Sequence, residues 1–229
     1  MAEFSQYLGE GFKLRNRTFI VRHGLVRTCL HSHQAPDSLQ AESNVKQVLV
    51  TKPEQGTTLW GLVEEGRKQA KAAGEKLKEL IGSVSSEDIV IVSSDFTRTR
   101  ETAEIIHSTL QPKVPLRLNE GLRERDMGDM DLLHVSESMT PNLFDLWKND
   151  EEDVMTAEHN AESVATIAAR MSAVVKSVNQ EFAGKVVILV SHQDPLHILH
   201  ALFVGLPLAQ HKKQEPPIGN CDIRELITQ

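Results

Sequence analysis

Cysteines, long apolar runs and positive charge are all scarce in this sequence, and each shortage excludes a class of protein. The 229 residues include two cysteines, Cys29 and Cys221, which give no disulfide framework and no zinc-binding pattern. No apolar run reaches the ~18 residues that a membrane-spanning helix needs. Residues 1–17 lack the apolar stretch of a secretory signal. These absences predict a cytoplasmic protein with no membrane span.

Acidic residues outnumber basic ones, 32 to 25, so the formal net charge is −7. A chain with this balance does not bind nucleic acid by broad electrostatic attraction, and any phosphate site must be a local cluster of cations. The hydrophobic share of 40% and the charged share of 25% are ordinary for a globular protein. Together with the length, they predict a single domain spanning residues 1–229.

Short β-branched apolar runs lie at residues 18–21, 89–92 and 186–190, and they do not alternate with polar residues. Such runs are typical of strands buried on both faces of a parallel sheet. Helices are predicted for residues 59–81, 98–110, 161–182 and 194–204, and a last strand for residues 221–227. The order of these elements predicts an α/β fold, a three-layer α/β/α sandwich around a mostly parallel central sheet.

Two stretches interrupt this pattern. Residues 25–58 are polar and too long for a simple turn between a strand and a helix. Residues 118–158 are acidic and mixed, with an amphipathic piece at residues 142–147. We interpret both as lid or insertion segments that form the walls of a ligand site.

Arginine and histidine side chains follow the predicted strands at the points where the strands end. Arg22 and His23 follow the first strand. Arg98 lies just inside the helix after the second strand, and His192 follows the third. In an open α/β sheet, ligands bind beyond the carboxyl ends of the strands, where helix N-termini add N–H groups. Arginine makes bidentate phosphate contacts and histidine can act as a nucleophile, so the pattern predicts a phosphate site at this edge.

An ordered set of motifs extends this pattern over most of the chain, from about residue 19 to residue 226. In chain order the motifs read FIVRHG, VSSDFTRTRETAEII, GLRERDMGDMD, NAESVATIAAR, VILVSH and IGNCDIREL. RHG alone would be a weak signal, whereas the ordered set is specific. The chain resembles the histidine phosphatase superfamily, in its phosphoglycerate-mutase-like branch, and this resemblance implies the same three-layer fold.

The resemblance implies catalytic roles for five residues. His23 would attack the substrate phosphorus and become phosphohistidine, and Glu124 would protonate the leaving oxygen. Arg22, Arg98 and His192 would bind the phosphoryl oxygens. We expect no metal and no cofactor, because these cations supply the positive charge that phosphoryl transfer needs. In addition, no histidine spacing in the chain matches a zinc site.

The general acid has two candidates in the sequence. The resemblance implies Glu124, but Asp194 is a rival because it lies two residues after His192. A general acid must hold its proton near neutral pH, which a carboxyl group in a partly dry pocket can do. The sequence leaves this choice open.

Positions beside the two histidines depart from the family's pattern. Many members have Glu or Gln and then Ser or Thr after RHG, whereas this chain has Leu25 and Val26, followed by Arg27. Gln193 replaces the glycine that usually follows the second histidine. Arg27 and Gln193 are therefore additional candidates for substrate binding, and the departures leave the substrate open.

The function predicted from the sequence is a metal-independent phosphatase that hydrolyses phosphomonoesters through a phosphohistidine intermediate. One alternative is a phosphoglycerate-type mutase, which the replaced residues after RHG disfavour. Another is a phosphate- or phosphopeptide-binding module without turnover, which would have no use for an acid beside a nucleophile. The expected partner is a phosphorylated small molecule or a phosphoprotein, and the sequence leaves the oligomeric state open.

Overall fold

The described part of the chain centres on a five-stranded sheet with the strand order β3-β2-β4-β1-β5. A computed structural model describes residues 2–26, 60–131 and 140–228. The strands are β1 (Arg17–Arg22), β2 (Ile89–Ser93), β3 (Arg117–Leu118), β4 (Val186–Ser191) and β5 (Ile223–Leu226). All neighbouring pairs are parallel except β1 and β5, which run antiparallel. The sheet is therefore mostly parallel, as the sequence predicts.

Helices cover both faces of this sheet. They are α1 (Ala2–Leu8), α2 (Glu64–Ile81), α3 (Thr97–Leu110), α4 (Thr140–Glu152), α5 (Val164–Glu181) and α6 (Gln193–Val204). Short 3₁₀ helices lie at Ser86–Asp88, Glu120–Leu122, Gly128–Met130 and Leu208–Lys213. Within the ranges that the structure describes, no helix has the length and apolar character needed to cross a membrane.

Alternate residues of the strands divide between two apolar layers. Phe19 and Ile188 pack with residues of α2 and α3 on one face. Ile20 and Leu189 pack with residues of α1, α5 and α6 on the other face. Because both faces are buried, these strands have the continuous apolar sequence that the fold prediction used. The predicted three-layer α/β/α sandwich is confirmed.

A contact between two glycines fixes the chain just after β1. A Cβ atom built on Gly24 would lie 2.5 Å from the carbonyl oxygen of Gly66, near the start of α2. A Cβ atom built on Gly66 would lie 2.1 Å from the carbonyl oxygen of Leu25. Neither position has room for a side chain, so the backbone of α2 lies directly against the segment that leaves the strand.

Several elements differ from the predicted ones. Helix α5 begins after Ser163, whose hydroxyl accepts a hydrogen bond from the Thr166 N–H, so it starts three residues later than predicted. The sequence reasoning missed α1 and β3 and predicted only the middle of α4. Strand β3 has two residues, too few for a periodic pattern, and α1 has seven. Helix α1 depends on tertiary contacts, such as the edge-to-face packing of Phe4 on Phe203 at 5.4 Å.

The predicted single domain and the two wall segments stay predictions. Most of the segment at residues 25–58 lies outside the described residues, as does the stretch at residues 132–139. The remaining part of the second segment contains two 3₁₀ helices and α4, which packs Leu143 and Leu146 against Met127 and Met130.

Candidate active site

The two predicted histidines meet at the carboxyl ends of neighbouring strands. Strands β1 and β4 pair so that Arg22 lies opposite Ser191. The N–H of His23 then donates to the Ser191 carbonyl oxygen at 3.0 Å, which continues the ladder beyond β1. As a result, the rings of His23 and His192 lie edge to face with their centroids 5.3 Å apart.

His23 is buried and held in one tautomer. Its Nδ1 lies 2.8 Å from the carbonyl oxygen of Gly24. Because a carbonyl oxygen can only accept, Nδ1 carries the proton and Nε2 keeps a free lone pair. Burial lowers the pKa of His23 well below its usual range, and the charges of Arg98 and Arg22 lower it further. The ring is therefore neutral near pH 7, and its unprotonated nitrogen can act as a nucleophile.

Two hydrogen bonds fix the backbone around His23. The Gly24 N–H donates to Thr102 Oγ1 at 3.0 Å. The Asn220 side-chain amide donates to the carbonyl oxygen of His23 at 2.9 Å. The segment is thus attached to α3 through Thr102 and to the chain before β5 through Asn220. The backbone from which the His23 side chain extends is therefore held in place.

His192 bonds to protein groups through both ring nitrogens. Arg98 Nε donates to His192 Nδ1 at 3.1 Å, so the ring proton is on Nε2, which lies 3.0 Å from Ser94 Oγ. Burial lowers the pKa of His192, and Arg98 and His23 lower it further. A neutral His192 therefore orients Arg98, and its predicted contact with a phosphoryl group would require one of these bonds to open.

Arg22 and Arg98 place two cations beside the histidines. Burial lowers the pKa of Arg98 to about 10, so the group stays charged at neutral pH. Arg22 Nη1 donates to the Ile218 carbonyl oxygen at 3.0 Å. Its Nε is buried and has no hydrogen-bond partner among the described residues. A cation whose buried donor is unused is a costly arrangement that an anion would relieve, which indicates an anion site.

Glu124 is a half-buried carboxyl group near these cations. Its Oε1 accepts from the Arg125 backbone N–H at 2.9 Å. Burial raises the pKa of Glu124 and the negative charge of Asp194 raises it further, whereas Arg98 and Arg22 oppose the shift. The net shift is upward, so Glu124 keeps its proton to a higher pH than an exposed glutamate does.

Asp194 has the opposite environment. Lys212 Nζ lies 3.2 Å from Oδ1 and 3.4 Å from Oδ2, and Arg125 Nη1 lies 3.8 Å from Oδ2. Burial alone would raise the pKa of Asp194, but Lys212, Arg125 and His211 outweigh it and the pKa is lowered. Asp194 is therefore ionised near neutral pH and has no proton to give. Two carboxyl groups with pKa values shifted apart are typical of a site that assigns them different roles.

Lys212 belongs to an outer layer of the site. Its ammonium group lies 4.6 Å from the centre of the Trp147 ring of α4, in addition to its contacts with Asp194. Arg125 is fully buried and forms a two-point ion pair with Asp150, also on α4, at 2.6 and 2.8 Å. Helix α4 is thus connected to the acidic side of the site through two cations.

Two predicted substrate-binding residues remain, Gln193 and Arg27. The site also includes residues that the sequence reasoning missed. Gln193 is the half-buried first residue of α6, and its role stays a prediction. Arg27 lies outside the described residues. The missed residues with contacts to the site are Ser94, Thr102, Asn220, Arg125, Lys212 and Arg170. Five of these lie within the ordered sequence motifs, which could have identified them, whereas Lys212 lies outside every motif. Among the described residues, no cluster of three or more His, Cys, Asp or Glu could hold a metal ion.

Comparisons with known proteins agree with the motifs. A relative from Yersinia enterocolitica, named probable phosphoglycerate mutase GpmB, is 32% identical over 178 residues, covering 73% of this chain and 79% of that protein. The Bacillus subtilis uncharacterized phosphatase PhoE is 30% identical, with 63% of this chain and 65% of that protein covered. The structure of mycobacterial glucosyl-3-phosphoglycerate phosphatase is 25% identical with a TM-score of 0.67, covering 92% of this chain and 89% of that one. A family model matches residues 18–229, and the chain belongs to the histidine phosphatase superfamily (branch 1).

Proposed function

We propose that the protein is a metal-independent phosphatase that hydrolyses phosphomonoesters through a phosphohistidine at His23. The observation that carries this proposal is the bond from His23 Nδ1 to the Gly24 carbonyl oxygen, which leaves Nε2 as a free lone pair in a buried site beside two arginines. A covalent intermediate divides the hydrolysis into two displacements, each with a good nucleophile or a good leaving group.

In the first displacement, Arg22 and Arg98 bind the phosphoryl oxygens and His23 Nε2 attacks phosphorus. A P–N bond forms and the P–O ester bond breaks, and Glu124 transfers its proton to the departing oxygen, which leaves as an alcohol. The bond from Nδ1–H to Gly24 stabilises the positive charge that develops on the imidazole. The raised pKa of Glu124 provides the proton near neutral pH.

In the second displacement, a water molecule attacks phosphorus and ionised Glu124 accepts its proton. The P–N bond breaks and its electron pair returns to His23, so inorganic phosphate leaves and the protonated Glu124 is restored. The positive charge needed over the transferring phosphoryl group comes from the guanidinium groups of Arg22 and Arg98, and the sequence of steps uses no metal ion.

The test is a trapping experiment with His23→Ala. The unsubstituted protein should form an acid-labile phosphoenzyme from a radiolabelled monoester, with EDTA present throughout. The variant should form none and should lose turnover while keeping its circular dichroism spectrum. A phosphoenzyme still formed by the variant, or activity that requires added Mg²⁺ or Zn²⁺, would contradict the proposal.

A phosphoglycerate-type mutase is the second candidate function. The specific observation in its favour is the identity of 32% to a protein named as a probable phosphoglycerate mutase. Against it, Leu25 and Val26 replace the polar residues that many mutases carry after RHG. We expect 3-phosphoglycerate to be hydrolysed slowly or left unchanged. Isomerisation that depends on 2,3-bisphosphoglycerate would favour the mutase, and binding without any turnover of p-nitrophenyl phosphate would favour a binding module.

The natural substrate is a phosphorylated small molecule or a phosphoprotein in this proposal. The similar mycobacterial structure is that of a phosphatase for a glycosylated phosphoglycerate, which favours a small molecule. A panel of sugar phosphates, phosphoglycerates, nucleotides and phosphopeptides, compared by kcat/KM, would separate these classes. A preference for phosphopeptides over all small molecules would contradict this choice.

A further inference from the structure

Arg170 of α5 donates hydrogen bonds to three backbone carbonyl oxygens of the segment that carries Glu124. Its Nη1 donates to the carbonyl oxygens of Gly121 at 2.9 Å and Arg123 at 2.8 Å. Its Nη2 donates to the carbonyl oxygen of Glu124 itself at 3.2 Å. One guanidinium group therefore satisfies three backbone acceptors of a segment that lies outside the strands of the sheet.

Glu162 holds the guanidinium group in place and contacts the same segment further along. Its carboxylate accepts from Arg170 Nε at 2.7 Å and from Nη2 at 2.9 Å, a bidentate pair that fixes the plane of the guanidinium. The backbone N–H of Glu162 donates to the Asp126 carbonyl oxygen at 2.8 Å, and its carbonyl oxygen accepts from Arg125 Nε at 2.8 Å. The pair thus contacts the segment on both sides of Glu124.

We propose that Arg170 and Glu162 are positioning residues for the general acid, which rests on the proposed role of Glu124. The pair fixes the backbone of residues 121–126, so that the Glu124 carboxyl group stays within reach of the charges of Arg98, Arg22 and Asp194. A proton donor must stay within hydrogen-bond reach of the leaving oxygen to be effective. In this proposal the pair acts on this step through the backbone atoms that Arg170 contacts.

Two other ion pairs hold the same segment, and their geometry differs. Arg123 reaches out of the segment to Asp95, and Arg125 reaches out to Asp150. Arg170 reaches in from a helix and is the one of the three that donates to the Glu124 backbone. Its contacts need five N–H···O bonds from a planar group, which a lysine ammonium cannot reproduce.

The test compares Arg170→Gln with Glu124→Gln on two kinds of substrate. The kcat/KM of an alkyl phosphate, whose leaving group needs a proton, should fall about 30- to 100-fold in Arg170→Gln, somewhat less than the ~10²-fold or more expected for complete loss of a general acid. The kcat/KM of p-nitrophenyl phosphate, whose leaving group departs with little help, should fall by less than about 5-fold. Inhibition by vanadate should be unchanged, because Arg22 and Arg98 are untouched.

A double variant and a matched control decide whether Arg170 acts through Glu124. If it does, adding Arg170→Gln to Glu124→Gln should lower alkyl phosphate turnover by no more than about 2-fold, because the acid is already lost. Arg117→Gln is the control, since Arg117 also pairs with a glutamate of α5, Glu181, at 2.5 Å, but lies on the surface. It should behave like the unsubstituted protein.

The outcomes separate this inference from the proposed function. If Glu124→Gln lowers kcat/KM equally for alkyl phosphate and p-nitrophenyl phosphate, the proposed acid is wrong and the positioning role is overturned with it. If Glu124→Gln has the difference and Arg170→Gln does not, only the positioning role is overturned. A further loss of 10-fold or more in the double variant would also overturn it. Should Arg170→Gln fail to fold, Glu162→Gln must give the same order of effects at smaller size for the inference to stand.

Discussion

The two halves of the site are built by different means. The half with the proposed nucleophile lies at the carboxyl end of the sheet, where backbone hydrogen bonds join the N–H of His23 to Ser191 and the N–H of Ser94 to Val190. The acid half lies on an irregular segment that three bidentate arginine–carboxylate pairs hold in place. Those pairs are Arg123–Asp95, Arg125–Asp150 and Arg170–Glu162. Backbone hydrogen bonds at the sheet therefore position the proposed nucleophile, and ion pairs between side chains position the segment of the proposed acid.

This difference separates the expected effects of substitution. Changes in the sheet half should affect phosphoryl transfer for every substrate, since in the proposed mechanism that half binds and attacks the phosphoryl group, which is common to all of them. Changes in the acid half should depend on the leaving group or on pH, and should affect stability where the charges are buried. Four sets of substitutions test this division, in decreasing order of predicted effect.

Arg98→Lys should lower kcat/KM about 10²- to 10³-fold for alkyl and p-nitrophenyl phosphates alike, as for loss of a preorganised charge donor. A lysine keeps the charge but loses the planar contact that Arg98 Nε makes with His192. The measurement is kcat/KM with both substrates. The control is Arg100→Lys, two residues away on α3 and paired with Glu104 at 3.8 Å. A loss restricted to alkyl phosphates would contradict the division between the halves.

Asp150→Asn should lower the free energy of unfolding by about 3 kcal/mol, because it leaves the charge of Arg125 buried without its partner. Both side chains of this pair are almost fully buried, at 0% and 1% exposure. Urea unfolding followed by circular dichroism measures the effect. Glu181→Gln removes the exposed partner of Arg117 and should change stability by less than about 0.5 kcal/mol. Equal losses in the free energy of unfolding for the two substitutions would show that the buried ion pair stabilises the protein no more than the exposed one.

Glu124→Gln should lower kcat/KM for alkyl phosphates about 10²-fold while p-nitrophenyl phosphate changes little, and it should remove the basic limb of the pH profile. The reason is that a group with a raised pKa acts as an acid below that pKa and loses its proton above it. In Asp194→Asn, loss of the negative charge should lower the pKa of Glu124 and move the basic limb to lower pH. Leaving-group dependence in Asp194→Asn alone would make Asp194 the acid.

Lys212→Met should have the smallest effect, and it should move the basic limb of the pH profile in the direction opposite to that expected for Asp194→Asn. Removing this cation leaves the charge of Asp194 less compensated, so the pKa of Glu124 should rise and the basic limb should move to higher pH by a few tenths of a unit. Lys213→Met is the matched control, because Lys213 pairs with exposed Glu151 at 3.3 Å. A shift to lower pH in Lys212→Met would mean that Lys212 does not act on the acid through Asp194.

The sheet half could be predicted from the sequence, and the acid half only in part. The positions of His23, Arg98 and His192 were predictable because His23 and His192 directly follow apolar strands and Arg98 lies in the first turn of the helix after β2. Glu124 came from a motif, but its choice over Asp194 depends on Lys212, which lies 18 residues from Asp194 in the chain and contacts it through the fold. No periodic pattern records such a contact.

The buried ion pairs were unpredictable for the same reason. Arg125 and Asp150 are separated by 25 residues and read as ordinary charged residues of an acidic stretch. Asp150 is nevertheless buried. A pattern of apolar residues identifies buried faces, whereas a buried charge is visible only when its partner is known.

In the proposed mechanism, the hydrogen bond from His23 Nδ1 to Gly24 also determines which isomer of phosphohistidine can form. With Nδ1 committed to the carbonyl oxygen, the phosphoryl group must attach to Nε2 and give 3-phosphohistidine. The 1-isomer would require the ring to turn over and give up this bond inside a buried pocket. The two isomers differ in their phosphorus NMR signals and in antibody recognition, so the regiochemistry of the trapped species reports directly on the orientation of one imidazole ring.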